Sequence, residues 1–202
     1  MKNSVEDNLS KYLRQMELIK TRMQVIDNIV KKKTTTGFNY SDIEICILQI
    51  RKIIELIAMG SLVSNIEKYS QIHEKYSENW NARLIFRDIQ QINAEFYPIP
   101  VRVDHSKKFD EFMPIESGFM TIDEAIRVYE KCGRFMHEDN PFREPHDIAF
   151  YENHITVWKT NIIMLLNTHI IHLSEGEFYY IVMQNKDTGN VAGNMFAKVC
   201  DL

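Results

Sequence analysis

"YSDIEICILQIRKIIELIAMGSLVSNIEKYS", residues 40–70, decides how this chain folds. From Ile43 to Val63 the apolar residues circle a helix almost completely. A helix apolar all round sits in the middle of a helical protein. Ser41 and Glu44 have capping-box spacing, in which hydroxyl and carboxylate satisfy free amides of the first turn. Two charged residues interrupt the run, Arg51 and Glu55. They lie four apart, on one face of the helix. Buried charge must be paired, because an unpaired buried charge is very costly. Two readings therefore stand: an internal ion pair that sets helix register, or an Arg51 that reaches into a polar cleft extended by Ser61, Ser64 and Asn65.

Working outward, residues 5–31 carry an apolar stripe at helical spacing, with Leu9, Tyr12, Leu13, Met16, Ile19, Met23, Ile26 and Val30. "KKKTTTGFN" ends that helix with lysines suited to the negative end of its dipole. Residues 67–95 continue as helix, in one or two pieces broken near 77–79, with Trp80, Ile85, Phe86 and Ile89 as core. Residues 96–119 hold three prolines and no helical period, and read as a long connection with short extended pieces. Long loops of this kind are uncommon within compact domains and tend to be functional.

"TIDEAIRVYEKCGRFMH", residues 121–137, is a helix opened by a Thr121/Glu124 capping box. Ile122, Ala125, Ile126, Tyr129, Gly133 and Met136 form its inner face. Gly133 costs roughly 1 kcal/mol of helix stability relative to Ala, so a neighbouring backbone is expected to pass close there. Asn140-Pro141 stops the segment. Residues 146–173 read as the last long helix. "FYYIVMQ" and "VAGNMFAKV" around "NKDTGN" read as a β-hairpin. The expected fold is mainly α: an antiparallel bundle of five to six helices with a small C-terminal β-hairpin. It forms one domain over 1–202. A helix and basic loop occupy 1–40, the bundle core 41–173 and the hairpin 174–202.

The 202 residues, 45% hydrophobic and 26% charged, can bury a core without disulfides or metal. The net charge of −4 lacks the basic excess of a general nucleic-acid binder. Charge is uneven, with eight Lys/Arg against four Asp/Glu in residues 1–40, and four against eleven in residues 110–153. Cys46, Cys132 and Cys200 have no pairing spacing, so free thiols in a reducing compartment are expected. The opening "MKNSVEDNLS" has no signal-peptide character. The longest uncharged stretch, "TNIIMLLNTHIIHL", is too short and polar for a membrane span. A cytoplasmic protein with no membrane association follows from these features.

Chemistry is sought first at "YEKCGRFMHEDNPF", residues 129–142. His137 lies at a helix C-terminus, where the dipole favours an imidazolium. Its company of Arg134, Glu138, Asp139 and Asn140 gives a second reading. In that reading His137 moves protons near neutral pH, Arg134 holds a phosphate and Asn140 contributes to binding. Cys132 lies about 140° around the helix from His137 and reads as a buried thiol. His169 and His172 alone are a weak metal signal. Neither a metal nor a cofactor is expected. P-loop, GxGxxG, GxSxG and HExxH motifs are absent from the sequence, and it carries no DNA-binding motif.

The apolar helix "EICILQIRKIIELIAMGSL", its flanking helices and the later helix that ends in Arg134 and His137 before Asn-Pro resemble the HEPN superfamily of helical bundles. The resemblance covers residues 41–173. It implies a homodimer, a toxin–antitoxin or phage-defence context, and RNA cleavage without metal by an Arg and a His at a dimer cleft. In active members four to six residues separate that Arg from the His, whereas two separate Arg134 from His137 here. The first expectation is a non-catalytic binding or regulatory module with a protein or RNA partner. The alternative is a metal-independent ribonuclease that uses His137 and Arg134, with Arg51 assisting. A third class, a small-molecule enzyme, needs Arg51, Glu55 and His137 to converge.

Overall fold

The computed structural model describes residues 2–72, 80–104, 106, 111–142, 144–173 and 176–197. Among the described residues, six helices, α1 (Lys2–Val30), α2 (Asn39–Ser64), α3 (Ile66–Ile72), α4 (Ala82–Gln90), α5 (Ile122–Phe135) and α6 (Ile148–Leu166), are joined by five strands. The strands are β1 (Ile99–Asp104), β2 (Glu111–Pro114), β3 (Thr168–His172), β4 (Glu177–Val182) and β5 (Ala192–Ala197). As its all-round apolar sequence demands, α2 is central and touches α1, α4, α5 and α6. Ile47, Ile50, Ile53, Ile54 and Ala58 are fully enclosed there.

The β structure is larger than a C-terminal hairpin. One antiparallel sheet runs β2-β1-β3-β4-β5. Two of its strands come from the 96–119 segment, and β3 takes the end of the segment expected to continue α6. Leu166 closes that helix. "THIIH" then pairs along its whole length with β4, which a short β-branched run does readily. The β4–β5 hairpin forms where the sequence places it and is fastened to α1. Lys20 donates to the Gly189 carbonyl at 2.7 Å, and the Val191 amide donates to Glu17 at 2.5 Å. A Cβ on Gly193 would lie 2.5 Å from Ile181 of β4 and 3.0 Å from Leu13 of α1, so a glycine here leaves room for both side chains.

One face of the sheet, with His169, Ile171, Tyr179 and Ile181, joins the helical core. The opposite face builds a second cluster from Val101, Ile170 and Phe178, flanked by Ile99, Phe112 and Tyr180. In a flat sheet β2 and β5 would stand about 19 Å apart, at about 4.8 Å per strand. The Phe112 ring is nevertheless only 5.7 Å from that of Phe196 and 5.1 Å from that of Tyr180. The β1–β2 hairpin therefore curls over β4 and β5. It is free to do so because β1 pairs with β3 only at Ile99 and Pro100. This explains the unbroken apolar run of β4: helices cover one face and the hairpin covers the other.

Several local expectations change. Helix α2 starts at Asn39, with Phe38 at its N-cap and no side-chain cap, so Ser41 and Glu44 form no capping box. Asp42 instead accepts hydrogen bonds from Thr35 and Thr36 and ties down the preceding loop. Thr121 does cap α5, its hydroxyl accepting from the Glu124 amide at 3.3 Å. Trp80, Met136 and Val30, read as core, are 74%, 48% and 44% exposed. The break near 77–79 and Cys200 lie outside the described residues.

Candidate functional site

Arg51 and Glu55 pair as the i,i+4 spacing requires, with Nε 3.4 Å from the carboxylate and about a quarter of each side chain exposed. Arg51 also reaches α5. Nη1 donates to the Tyr129 carbonyl at 3.0 Å and Nη2 to the Tyr129 hydroxyl at 2.8 Å. That hydroxyl donates in turn to Glu55 at 3.4 Å. The guanidinium lies 3.9 Å over the Tyr129 ring. Gly133 has its reason here: a Cβ would stand 2.6 Å from Arg51 Nη1. The close neighbour is a side chain, where a passing backbone was expected. Burial raises the Tyr129 phenol pKa, with the Arg51 charge opposing. Burial pushes the adjacent Cys132 thiol up to about 12, again against Arg51, so this sulfur stays protonated and inert. Arg51, Glu55 and Tyr129 thus clamp α2 to α5.

His137 sits elsewhere. It follows the C-cap residue Met136, its amide bonds back to the Arg134 carbonyl at 3.2 Å, and its side chain is exposed. Its ring meets no hydrogen-bond partner among the described residues. It lines a polar pocket of about 210 Å³ with Arg134, Glu138, Asp139, Asn140, Glu144 and His146. Neither Arg51 nor Glu55 lines that pocket, so the convergence that a small-molecule enzyme would need is not formed. Asn140 is used locally, its side-chain oxygen accepting from the Phe142 amide at 3.0 Å.

The enclosed imidazole of this region is His146, which spacing alone did not mark. Its side chain is 8% exposed and its Nε2 lies 3.4 Å from Asp139 and 3.1 Å from the His137 carbonyl. Its ring packs 5.1 Å from Phe135. A histidine between an acidic residue and the start of a helix was the available signal.

Beside this pocket, Tyr40 stacks on Phe135 at 5.7 Å. Burial and then the carboxylates of Glu44, Asp139 and Glu138 raise its phenol pKa, so the local field is negative. An apolar hollow of about 280 Å³ opens next to it, lined by Glu44, Ile45, Leu48, Phe135 and Met136.

His169, read with His172 as a weak metal signal, lies on β3, where residues three apart face opposite ways. His169 is fully buried. Nδ1 is 2.8 Å from the Leu166 carbonyl and so must carry the proton. Nε2 therefore accepts, and the Tyr12 hydroxyl 2.7 Å away donates to it. Burial pushes this imidazole down to about 4, with the Leu166 carbonyl opposing. Among the described residues no three His, Cys, Asp or Glu side chains converge on a metal-sized site, and no helix is long and apolar enough to cross a membrane. Comparison with family models, with curated proteins and with solved structures finds no match to this chain.

Proposed function

We propose that this chain is a non-catalytic protein-binding module, and that its contact site is the acidic, aromatic surface where α2 begins and α5 ends. The carrying observation is Tyr40 stacked on Phe135 beside an apolar hollow, within reach of the charges of Glu44, Glu138 and Asp139. A hollow with a carboxylate rim suits a basic partner segment that inserts one apolar side chain. The same carboxylates disfavour a phosphate backbone beside His137 and Arg134. Arg51 and Glu55 are held by Tyr129 and are not free to bind. The relation to HEPN bundles, with a regulatory role in toxin–antitoxin or phage-defence systems, belongs to this proposal. The central α2 and its flanking helices support it, and the sheet lies outside it.

The test uses two labelled synthetic helical peptides of equal length, one alternating Lys with Leu anchors and one alternating Glu with the same anchors. Fluorescence anisotropy is expected to show binding of the basic peptide only, weakened at least about tenfold by the double substitution E138Q/D139N. Equal binding of both peptides, or no effect of that double variant, overturns the reading. Cleavage of single-stranded RNA by wild type that is lost in His137→Ala would instead establish the ribonuclease.

A further inference from the structure

The first turns of α2 have two sides. Glu44, Ile45 and Leu48 face the end of α5, beside the contact site proposed above. Asn39, Asp42, Ile43 and Cys46, three or four residues apart, share another face. There they meet the end of α1, the 31–38 loop and α6 around a groove of about 340 Å³. Its floor is apolar and enclosed, with Ile43, Cys46 and Ile155 at 4%, 1% and 4% exposure. Burial, and then the Asp42 charge, push the Cys46 thiol up to about 11, so the floor carries no charge. Its rim is polar, with Lys32, Asn39, Glu152 and Thr156. No residue of the proposed contact site lines it.

The loop wall is held by its own bonds. Thr35 and Thr36 donate to Asp42, and the amides of Lys33 and Thr34 donate to the Asn28 carbonyl in the last turn of α1. Lys32 has a φ of 53°, the left-handed position after a helix where glycine is the usual residue. A lysine there carries a steric penalty that glycine avoids, and it lines the groove. The neighbouring cations are paired, since Lys31 and Lys159 both reach Asp27. Lys32 and Glu152 have no charged partner among the described residues, and they border one groove from different walls, the loop and α6.

We infer that this groove binds a free aliphatic α-amino acid, with its ammonium at Glu152, its carboxylate at Lys32 and its side chain on the floor of Ile43, Cys46 and Ile155. Size and charge select this class. The volume lies at the small end of the roughly 300–1,000 Å³ of small-molecule sites. One lysine beside two carboxylates, Asp42 and Glu152, does not hold the phosphates of a nucleotide. Lys32 opposes a lone amine, and Glu152 opposes a lone carboxylate. A zwitterion with an apolar body satisfies both charges and the floor. Asn39, whose side-chain amide both donates and accepts, suits either end of it.

Saturation-transfer NMR titration of the full chain with L-leucine tests it. A dissociation constant of about 1 mM or below is expected. Isopentylamine and isocaproate are leucine without its carboxylate and without its ammonium. Each is expected to bind at least about fivefold more weakly than leucine, and glycine, which lacks the apolar body, not at all. Lys32→Ala should weaken leucine by a similar factor and leave isopentylamine no weaker. Glu152→Gln should weaken leucine and leave isocaproate no weaker. A loosened fold would weaken all three ligands together, so the crossed pattern belongs to the site alone. Thr156→Trp, at the exposed rim, should obstruct the groove and abolish leucine binding. Circular dichroism melting confirms that each variant is folded. No leucine binding at about 10 mM, an analogue that binds as tightly as leucine, or a leucine affinity indifferent to Lys32→Ala, Glu152→Gln and Thr156→Trp overturns the inference.

Discussion

Two sets of titratable residues, one against helix α5 and one at and beyond its C-terminal end, meet opposite fates. At Tyr129 and Gly133 the helix receives Arg51 and Glu55 from α2: both Arg51 Nη atoms and Glu55 bond to Tyr129 across the interface, while Arg51 Nε pairs with Glu55 within α2. One turn later, Arg134, His137, Glu138 and Asp139 stand in water around a shallow pocket. Both sets contain an arginine, a carboxylate and a group able to exchange protons. In the first, low local dielectric makes the pairing firm and structural. In the second, solvent screens the charges; they shape a field, and among the described residues Asp139 is the one of the four whose side chain is tied to the chain beyond it, accepting from the His146 amide at 3.0 Å. Side-chain chemistry alone therefore does not separate scaffold from site; enclosure does.

The comparison can be broken or sharpened by four measurements. The largest effect is expected at His169, a third enclosed group. Its folded pKa of about 4 lies below its unfolded value, so the neutral form stabilises the fold. That contribution is complete above about pH 6.5 and is lost as pH falls through about 4, amounting to roughly 3 kcal/mol. Urea denaturation between those pH values should show the slope, and His169→Gln, which does not titrate, should lack it. Arg51→Ala leaves Glu55 without its cation and is expected to cost about 2 kcal/mol, discounted because a quarter of the pair is exposed. Gly133→Ala gains helix propensity but drives a methyl against Arg51, and a net loss of about 1 kcal/mol is expected. His137→Ala should change stability by less than about 0.5 kcal/mol, read by thermal melting. A large loss there would mean that the exposed set also holds the fold.

Much of the helical half was legible in the sequence because its signals are local. The apolar circumference of α2 announced a central helix, and the spacing of Arg51 and Glu55 announced their pairing. Gly133 suggested a passing backbone and received the Arg51 side chain instead, because an arginine from a distant segment has no local signature. The sheet was harder to read. "THIIH" continues the apolar run of α6, and nothing within five residues separates strand from helix. β1 did carry a signal: Ile99, Val101 and Val103 alternate with polar or proline positions, the period of a strand, and short extended pieces were expected there, but their pairing with β3 from a distant segment has no local signature. In the candidate site, His137 drew attention through its neighbours. His146 and Tyr40 were passed over because the ring that packs on both, Phe135 on a different element, is brought to them only by folding.

The curl of β1 and β2 over β4 and β5 also has a kinetic consequence. β1 and β3 bracket α5 and α6 in the chain, so the middle seam of the sheet closes a long loop, whose entropy must be met before any pairing rewards it. The helices assemble from contacts between neighbouring segments and face no such delay. The two apolar clusters should therefore mature in order, the helical one first and the aromatic one last, and damage to β1 or β2 should strip the second without dismantling the first.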